Sequence, residues 1–352
     1  MMKLLHSADW HLGTPFQGRS SEQAAALRRE LWEVPGKIAA LCREENCDLV
    51  LLSGDLLDGP CSQAEWQRLK DALEEMAVPV FVSPGNHDFV NMDSPWIREN
   101  WPENVHIFTR TQIESVELPN LSCRVYGAGF TGMDCQPLLD NFRAEEDCRY
   151  HIGVFHGDPA LVSSAYNPIT AGQVESSGLD YLALGHIHKM GAFRAGKTLC
   201  AWPGCPMGRG YDETGDKGVY IVTVGEQTEV KFRVLNTPRF YDLQTDPQML
   251  DSLLPPVGSM DYYRITLVGS CEAPDLDAMQ AGLSRFPNLL LRDKTTRPID
   301  VWGSLGQDNF EGVYFGLLRQ AWDTAEGAEK EDILLAAQLS RQLLEGQEVV
   351  LP

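Results

Sequence analysis

Leu49-Val50-Leu51-Leu52-Ser53-Gly54-Asp55-Leu56-Leu57-Asp58 is the stretch that decides the fold. Its first four residues form a continuous apolar run of strand length, which is typical of a strand that is buried on both faces of a sheet. The run ends at Ser53-Gly54-Asp55, where a polar loop begins. A buried strand that delivers a carboxylate into a loop predicts a functional site at the ends of the strands.

The same arrangement occurs on both sides of this stretch. The predicted opening strand at 3–7 leads into Asp9-Trp10-His11. A helix from about 64 to 76 and a strand at 78–82 follow, and that strand leads into Gly85-Asn86-His87-Asp88. The order of strand, polar loop and helix predicts an α/β fold with its crevice at the carboxyl ends of the strands.

Two later strands are predicted to end in the same kind of loop. Residues 150–155 lead into His156-Gly157, and residues 181–184 lead into Gly185-His186-Ile187-His188. Because residues i and i+2 of an extended segment point the same way, His186 and His188 can face one pocket. Alone, the pair fits two surface histidines equally well.

The rest of the chain predicts a division into three parts. Cys200–Gly204 and Gly218–Val222 are predicted to be closing strands of a second sheet, and residues 230–235 to form a hairpin with the latter. Thr237-Pro238 suggests a boundary, so we expect a core domain at 1–237 and a small α+β domain at 238–292. Residues 293–352 are predicted to be a polar linker and two amphipathic helices, at 309–323 and 329–344, which either pack back on the body or bind a partner.

Composition limits the class of protein. The chain has 352 residues, 43% of them hydrophobic, and a formal net charge of −21, which argues against a broad basic face for nucleic acid and leaves that contact to local patches or to a partner. Nine cysteines without a C-x-x-C pair favour reduced thiols. There is no signal-peptide pattern and no apolar run long enough to cross a bilayer, so we expect a soluble cytoplasmic protein with no membrane contact.

The polar residues at the strand ends form one set, which contains five of the eight histidines. Its members are Asp9, His11, Asp55, Asn86, His87, His156, His186 and His188. Mixed imidazole, carboxylate and amide ligands suit manganese, iron(II) or zinc, whereas magnesium prefers oxygen ligands alone. With His87 set aside, seven ligands exceed what one ion needs, and two ions about 3.5 to 4 Å apart would use them in phosphoester hydrolysis. Among the other histidines, His106 and His151 are predicted to be structural, and His6 lies too near the site to be set aside.

These residues resemble a known family. Asp9-x-His11, Gly54-Asp55-x-x-Asp58, Gly85-Asn86-His87-Asp88, His156-Gly157 and Gly185-His186-x-His188 resemble, in order, the five motifs of the calcineurin-like metallophosphoesterases. The wider phrases around them are similar to the nuclease subunits of double-strand-break repair complexes, of the SbcD and YhaO type. The resemblance implies an α/β, four-layer fold: a two-sheet sandwich flanked by helices, plus a small α+β cap and C-terminal helices.

The resemblance also assigns roles. It implies that one metal is held by Asp9, His11, Asp55 and His188, and that a second is held by Asp55, Asn86, His156 and His186, with Asp55 bridging the two. His87 would not be a ligand but would stabilise the transition state or protonate the leaving oxygen, and Asp88 would orient His87. The family's preferred ion is manganese, with Fe2+ or Zn2+ as alternatives.

We therefore predict a metal-dependent DNA exonuclease and endonuclease that acts in DNA repair with an SMC-like coiled-coil ATPase, whose coiled coil the C-terminal helices would bind. The alternative is a phosphodiesterase or phosphatase for a small molecule such as a cyclic nucleotide, which the acidic surface suits better. A third interpretation, a scaffold with structural metals, is disfavoured by the intact ligand positions and His87. Arg209, between two glycines, is a candidate phosphate contact, although a solvated loop arginine is the simpler interpretation. A homodimer is left open.

Overall fold

A computed structural model describes residues 1–59, 61–145, 147–271 and 274–346. The end of the predicted C-terminal region, 347–352, lies outside the described residues. The strands are, in chain order, β1 Met2–Ser7, β2 Leu49–Leu52, β3 Val80–Val82, β4 Val105–Ile107, β5 Glu114–Leu118, β6 Cys123–Gly127, β7 Tyr150–His156, β8 Tyr181–Gly185, β9 Lys189–Ala195, β10 Thr198–Gly204, β11 Gly218–Val224, β12 Glu229–Val234, β13 Phe240–Thr245, β14 Tyr262–Leu267 and β15 Leu289–Asp293. The helices are α1 Ser21–Glu44, α2 Gln63–Glu75, α3 Pro95–Arg98, α4 Ala171–Ser176, α5 Leu276–Gly282, α6 Phe310–Thr324 and α7 Gly327–Leu344.

Two six-stranded sheets form the body of the chain. The first has the strand order β12-β11-β1-β2-β3-β4, and β1 to β4 run parallel. The second has the order β5-β6-β7-β8-β10-β9, and β6, β7, β8 and β10 run parallel. A third sheet, of three strands, has the order β13-β14-β15. Parallel strands place their carboxyl ends at the same edge, so each large sheet presents several loops on one side.

The prediction that 218–222 closes the second sheet was wrong. β11 pairs with β1 in the first sheet, antiparallel, with Leu4 opposite Val222. The hairpin of β11 with β12 is confirmed. An apolar run predicts a strand but not its neighbour, because pairing depends on contacts between distant parts of the chain.

The core explains why β2 is apolar throughout. Val50 and Leu52 belong to the cluster that packs against α1 and α2, whereas Leu49 and Leu51 belong to the cluster between the two large sheets. A further cluster on the outer face of the second sheet includes Val174 of α4. The order is therefore helix, sheet, sheet, helix, and the predicted two-sheet α/β sandwich is confirmed.

The chain divides into two compact units, Met1–Asp242 with Gly258–Arg264, and Leu243–Val257 with Ile265–Pro352. In the second unit, Phe315 of α6 and Ala337 of α7 are fully buried in a small core with Val301. Arg341 lies 4.0 Å from the Phe315 ring centre and donates to Glu311 at 2.6 Å. The boundaries predicted at 237 and 292 stay a prediction. Among the described residues, no helix is long and apolar enough to span a membrane.

Candidate metal centre

Loops from both large sheets meet in the first unit. Asp9 and His11 follow β1, Asp55 follows β2, and Asn86 follows β3 in the first sheet. From the second sheet, His156 is the last residue of β7, while His186 and His188 follow β8. The side chains that the sequence predicted as a set therefore come from five strand ends, brought together because the two sheets stack with their carboxyl ends on one side.

The backbone in these loops is strained. Asp9, His11, Asp55 and His186 all have positive φ, between 49° and 95°. This conformation costs about 1 to 2 kcal/mol for residues other than glycine, so it persists only where the surroundings fix it. Here the loops hold one another: His11 N–H donates to the Asp55 carbonyl at 2.9 Å, and His186 N–H donates to Asp9 Oδ1 at 2.9 Å. Strain at four adjacent loop positions is typical of a functional site.

Two motif glycines are required by close approach. A Cβ at Gly85 would lie 2.3 Å from Asp55 Oδ1, and a Cβ at Gly185 would lie 2.1 Å from the Ser53 carbonyl oxygen. Any side chain at either position would push the loops apart. The glycines in Gly85-Asn86-His87 and Gly185-His186 are therefore explained by packing around the site.

Asp9, His11 and His188 form the first group, with one potential ligand atom from each lying within 4.8 Å of the others. His11 Nε2 and His188 Nε2 are 3.1 Å apart. Asp9 Oδ2 and His11 Nδ1 are buried without a hydrogen-bond partner in the described chain. Buried polar atoms are nearly always satisfied. An orphaned carboxylate oxygen beside two facing ring nitrogens fits a divalent cation.

Asp55 and His156 form the second group together with Asp9. His156 Nε2 lies 3.4 Å from Asp55 Oδ2 and 3.0 Å from Asn86 Oδ1. Asp55 Oδ2 is also 3.9 Å from His11 Nε2, so this carboxylate faces both groups. The charges of His156 and His11 outweigh burial and lower the pKa of Asp55. These contacts fit a second cation, with Asp55 between the two.

His186 lies at the rim of the second group. Its ring centre is 5.3 Å from that of His156 and 4.8 Å from that of Tyr166. Its Nε2 is 3.9 Å from Asp158 Oδ2, a carboxylate to which the sequence analysis gave no role. Burial and the neighbouring His156 lower the pKa of His186, which favours the neutral ring that can bind a metal.

His87 is more exposed than the other members, with 43% of its side chain accessible. Its Nδ1 lies 3.0 Å from Asp58 Oδ1, and its ring centre lies 4.8 Å from that of His11. The hydrogen bond to Asp58 raises the pKa of His87. A half-exposed imidazole with a raised pKa at the edge of a ligand cluster can donate a proton to a bound substrate. His11, Asp58 and His87 also lie close enough to hold a cation.

The predicted role of Asp88 in orienting His87 was wrong. The Asp88 carboxylate accepts backbone N–H groups from Gly85 at 2.7 Å and Leu56 at 2.8 Å. Burial and the charge of Asp55 raise the pKa of Asp88 to about 7. Because Asp88 is buried, its carboxylate needs hydrogen-bond donors, and backbone N–H groups of two loops supply them. Asp88 therefore connects these two loops. Asp58 is the carboxylate that contacts His87.

Sequence reasoning missed Glu213. Its Oε1 lies 2.6 Å from His188 Nδ1, and its side chain is only 8% exposed. Burial alone would raise the pKa of Glu213, but hydrogen bonds from His188 and Arg209 hold it well below its usual range. A carboxylate at Nδ1 orients the ring so that Nε2 faces the site. No motif surrounds Glu213, and its spacing of four residues from Arg209 was the only signal in the sequence.

Arg209 is bound to this glutamate. Its Nη2 donates to Glu213 Oε1 at 2.8 Å, its backbone N–H donates to Glu213 Oε2 at 2.7 Å, and its Nη1 lies 3.6 Å from Asp58 Oδ2. Only 19% of the side chain is exposed, so the solvated-arginine interpretation was wrong. Arg209 therefore links Glu213, which contacts His188, to Asp58, which contacts His87.

The other histidines fall outside the cluster. His6 is fully buried, with Nδ1 2.7 Å from the Tyr181 hydroxyl and Nε2 2.6 Å from Ser53 Oγ. Burial lowers its pKa to about 3. His6 therefore lies under the site as a neutral hydrogen-bonded group.

Comparison with known proteins agrees with this geometry. The family model described as calcineurin-like phosphoesterase matches residues 2–190. An uncharacterized metallophosphoesterase of Bacillus subtilis, YhaO, is 34% identical over 237 residues, which cover 63% of this chain and 57% of that protein. One component of the nuclease SbcCD of the same organism is 26% identical over 269 residues, covering 63% of this chain and 66% of the relative.

Among solved structures, a dimetal phosphatase from Danio rerio matches with a TM-score of 0.45 and 14% identity, over 66% of this chain and 97% of that one. The chain spans between 57% and 66% of the length of the two Bacillus relatives.

Proposed function

The chain belongs to the calcineurin-like phosphoesterases, a family of hydrolases with dinuclear metal sites, and from this premise we propose that it is a manganese-dependent DNA nuclease. The main supporting observation is the position of His87, a half-exposed imidazole backed by Asp58 beside the ligand candidate His11. This arrangement supports hydrolysis of a phosphodiester, in which a proton must reach the leaving oxygen. Relatives named as components of the nuclease SbcCD support DNA as the substrate.

In this proposal the residues divide the work. Asp9, His11 and His188 would hold one ion, and Asn86, His156 and His186 the other, with Asp55 shared. The ions, when bound, would offset charge on the phosphoryl oxygens and lower the pKa of a water molecule. The raised pKa of His87 favours the doubly protonated ring, in which Nδ1–H donates to Asp58. Its Nε2–H would then protonate the leaving alcohol as the oxygen of a water molecule bonds to phosphorus and the ester bond breaks.

A cavity next to His87 supports the binding of an extended substrate. It has a volume of about 450 Å3 and is lined by His87, Trp66, Phe89 and Arg98 among others. Aromatic walls suit the face of a nucleobase, and base stacking contributes about 1 to 3 kcal/mol. The leaving part of a nucleic-acid strand would lie in this cavity.

We further propose an SMC-like ATPase as partner. On α6, Phe310, Val313 and Leu317 are each more than 60% exposed and recur at helical spacing on one face. Relatives named as components of SbcCD belong to a multi-subunit nuclease. The test measures binding between the purified chain and the purified coiled coil of an SMC-like ATPase encoded by the organism from which the chain itself comes. Replacing the three exposed side chains by serine should abolish binding; undiminished binding would contradict this assignment.

The nuclease assay compares single-stranded DNA, blunt duplex DNA and a cyclic dinucleotide, each with added manganese. We expect cleavage of at least one DNA substrate, and this cleavage should be lost when the metal is chelated.

The second candidate, a small-molecule phosphodiesterase, is favoured by the net charge of −21, which repels a polyanion. Cleavage of the cyclic dinucleotide alone would replace the first proposal with the second.

A further inference from the structure

Arg209 lies between the first metal group and the proposed proton donor. Its Nη2 is 2.8 Å from Glu213 Oε1, and its Nη1 is 3.6 Å from Asp58 Oδ2. Glu213 contacts His188, a predicted ligand of the first group. Asp58 contacts His87, the group that would protonate the leaving oxygen. One guanidinium therefore connects a predicted metal ligand to the proton donor.

The guanidinium of Arg209 is held in a fixed orientation. The Arg209 Nε lies 3.3 and 3.4 Å from the two carboxylate oxygens of Glu213, and the Arg209 backbone N–H donates to Oε2 at 2.7 Å. Only 19% of the Arg209 side chain and 8% of the Glu213 side chain are exposed. Because a guanidinium is planar, contacts that fix Nε and Nη2 also fix the direction of Nη1, the nitrogen on the side of Asp58.

The Asp58 carboxylate is the group that Nη1 of Arg209 can position. One of its oxygens, Oδ1, lies 3.0 Å from His87 Nδ1. The other, Oδ2, lies 3.6 Å from both Arg209 Nη1 and His11 Nδ1, and accepts from Thr14 Oγ1 at 3.3 Å. Since the two oxygens belong to one rigid group, the partners of Oδ2 set the position of Oδ1 and thereby the orientation of the His87 ring.

His87 depends on this support because 43% of its side chain is exposed, as is 28% of the Asp58 side chain. Proton transfer requires the donor nitrogen to lie within hydrogen-bond distance of the leaving oxygen. A displacement of about 1 Å can lower the rate by about 100-fold. An exposed imidazole that is held by a partly exposed carboxylate keeps its position only if that carboxylate is itself fixed.

We propose that Arg209 is a positioning residue for proton transfer, which acts through Asp58 on His87 and fixes the proton donor relative to the first metal group. Its guanidinium is directed at two carboxylates, so it acts within the protein and not on the substrate. This role rests on the proposed function, since it requires His87 to protonate a leaving oxygen. A leaving group that needs no proton should therefore make turnover almost independent of Arg209.

The test compares two DNA substrates that differ in one atom. The first is an oligonucleotide that the wild type cleaves with manganese, and mass spectrometry of its products shows which bridging oxygen leaves. The second has sulfur in place of that oxygen at the cleaved linkage. An alkoxide must be protonated as it leaves, whereas a thiolate is stable without a proton near neutral pH.

The variant Arg209→Gln should lower turnover of the oxygen substrate about 10- to 100-fold and that of the sulfur substrate less than about threefold, each relative to the wild type. His87→Asn should show the same selectivity, because both variants impair one proton transfer. Arg124→Gln, on β6, is the matched control, since Arg124 is 15% exposed and forms an ion pair with Asp147. This control should change neither rate.

Metal content is measured for every variant, because a lost ion would slow both substrates alike. An equal fall for both substrates in Arg209→Gln would show a merely structural role and overturn the proposal. Residues that act through one step are not additive, so adding Arg209→Gln to His87→Asn should cause little further loss on the oxygen substrate. A further loss by the full factor of the single variant would also overturn the proposal. Failure of the proposed function would be seen separately, as a wild type that cleaves no DNA.

Discussion

His188 and His156, one from each group of the metal centre, are oriented by different kinds of partner. His188 Nδ1 faces the side chain of Glu213 at 2.6 Å, which Arg209 holds in turn at 2.8 Å. His156 Nδ1 faces the Ser53 backbone carbonyl at 2.9 Å. The first ring thus depends on two side chains of a loop after β10, and the second on the main chain at the end of β2. Substitutions can therefore loosen one group and leave the other intact.

The largest effect is expected from Asp55→Ala. This substitution should remove the metal ion from both groups, so that the different partners of His188 and His156 no longer matter. Asp55 Oδ2 faces His11 and His156, and Oδ1 accepts the His87 backbone N–H at 2.9 Å. We expect the two metal ions per chain to be lost and phosphodiesterase turnover to fall by about 1000-fold or more, since the ions supply several kcal/mol of transition-state stabilisation.

Metal content is measured by mass spectrometry after dialysis. Asp71→Ala, at an exposed carboxylate on α2, serves as the matched control and should keep both ions. If Asp55→Ala retained two ions per chain, the carboxylate would not be shared between the groups.

The second prediction separates chemistry from metal binding. His87→Asn should leave the metal content unchanged while turnover falls on the order of 100-fold, the usual scale for a lost general acid. His106→Asn removes an exposed histidine outside the cluster and should keep full activity. Loss of metal from His87→Asn would show that His87 is a ligand, as its proximity to His11 and Asp58 also allows.

The sequence predicted the parts of the site that are local to a strand. Asp9, Asp55 and His156 each come at the end of an apolar run, and a strand that ends in a polar loop can be recognised from neighbouring residues alone. The sheet order could not be predicted in the same way, because β11 is an apolar strand, almost wholly buried, and such a run does not identify its neighbours. Its place beside β1 is fixed by contacts across more than 200 residues of chain.

The supporting carboxylates were beyond the reach of sequence patterns. Asp88 follows His87 directly, which suggested a pair, yet its carboxylate accepts backbone N–H groups from Gly85 in its own loop and from Leu56 in the loop after β2. Glu213 lies 25 positions from His188 in a stretch rich in glycine and charge, where nothing local distinguishes it from a solvated glutamate. Roles of this kind depend on where loops meet in space.

The third prediction tests the comparison directly. Glu213→Gln should weaken one of the two metal-binding steps by about 10- to 100-fold and leave the other unchanged, because only His188 loses its charged partner. Titration calorimetry with manganese resolves the two steps, and Glu229→Gln on β12 is a control with the same change at an exposed position. Equal weakening of both steps would mean that the two groups are not independently supported.

The smallest effect concerns the stability of the chain at low pH. It extends the comparison of His188 and His156 to a third ring, that of His6, whose partners are all neutral. His6 contacts two hydroxyl groups and the Leu184 carbonyl, and burial lowers its pKa from 6.5 to about 3. Between these values the unfolded chain binds a proton that the folded chain excludes. The contribution of His6 is therefore fully present above pH 6.5 and is lost as the pH falls, by about 1.4 kcal/mol per pH unit.

The variant His6→Asn removes this titration, so the difference in the free energy of unfolding between wild type and variant should shrink by that slope from about pH 6 to pH 4. Urea unfolding of both proteins at a series of pH values measures it, and other histidines cancel in the difference. A difference independent of pH would show that the folded chain binds the proton as readily as the unfolded one. The protonated ring of His6 would then be stable in the folded chain without a carboxylate partner. The partners of His188 and His156 would in that case be less important to those rings than the short distances suggest.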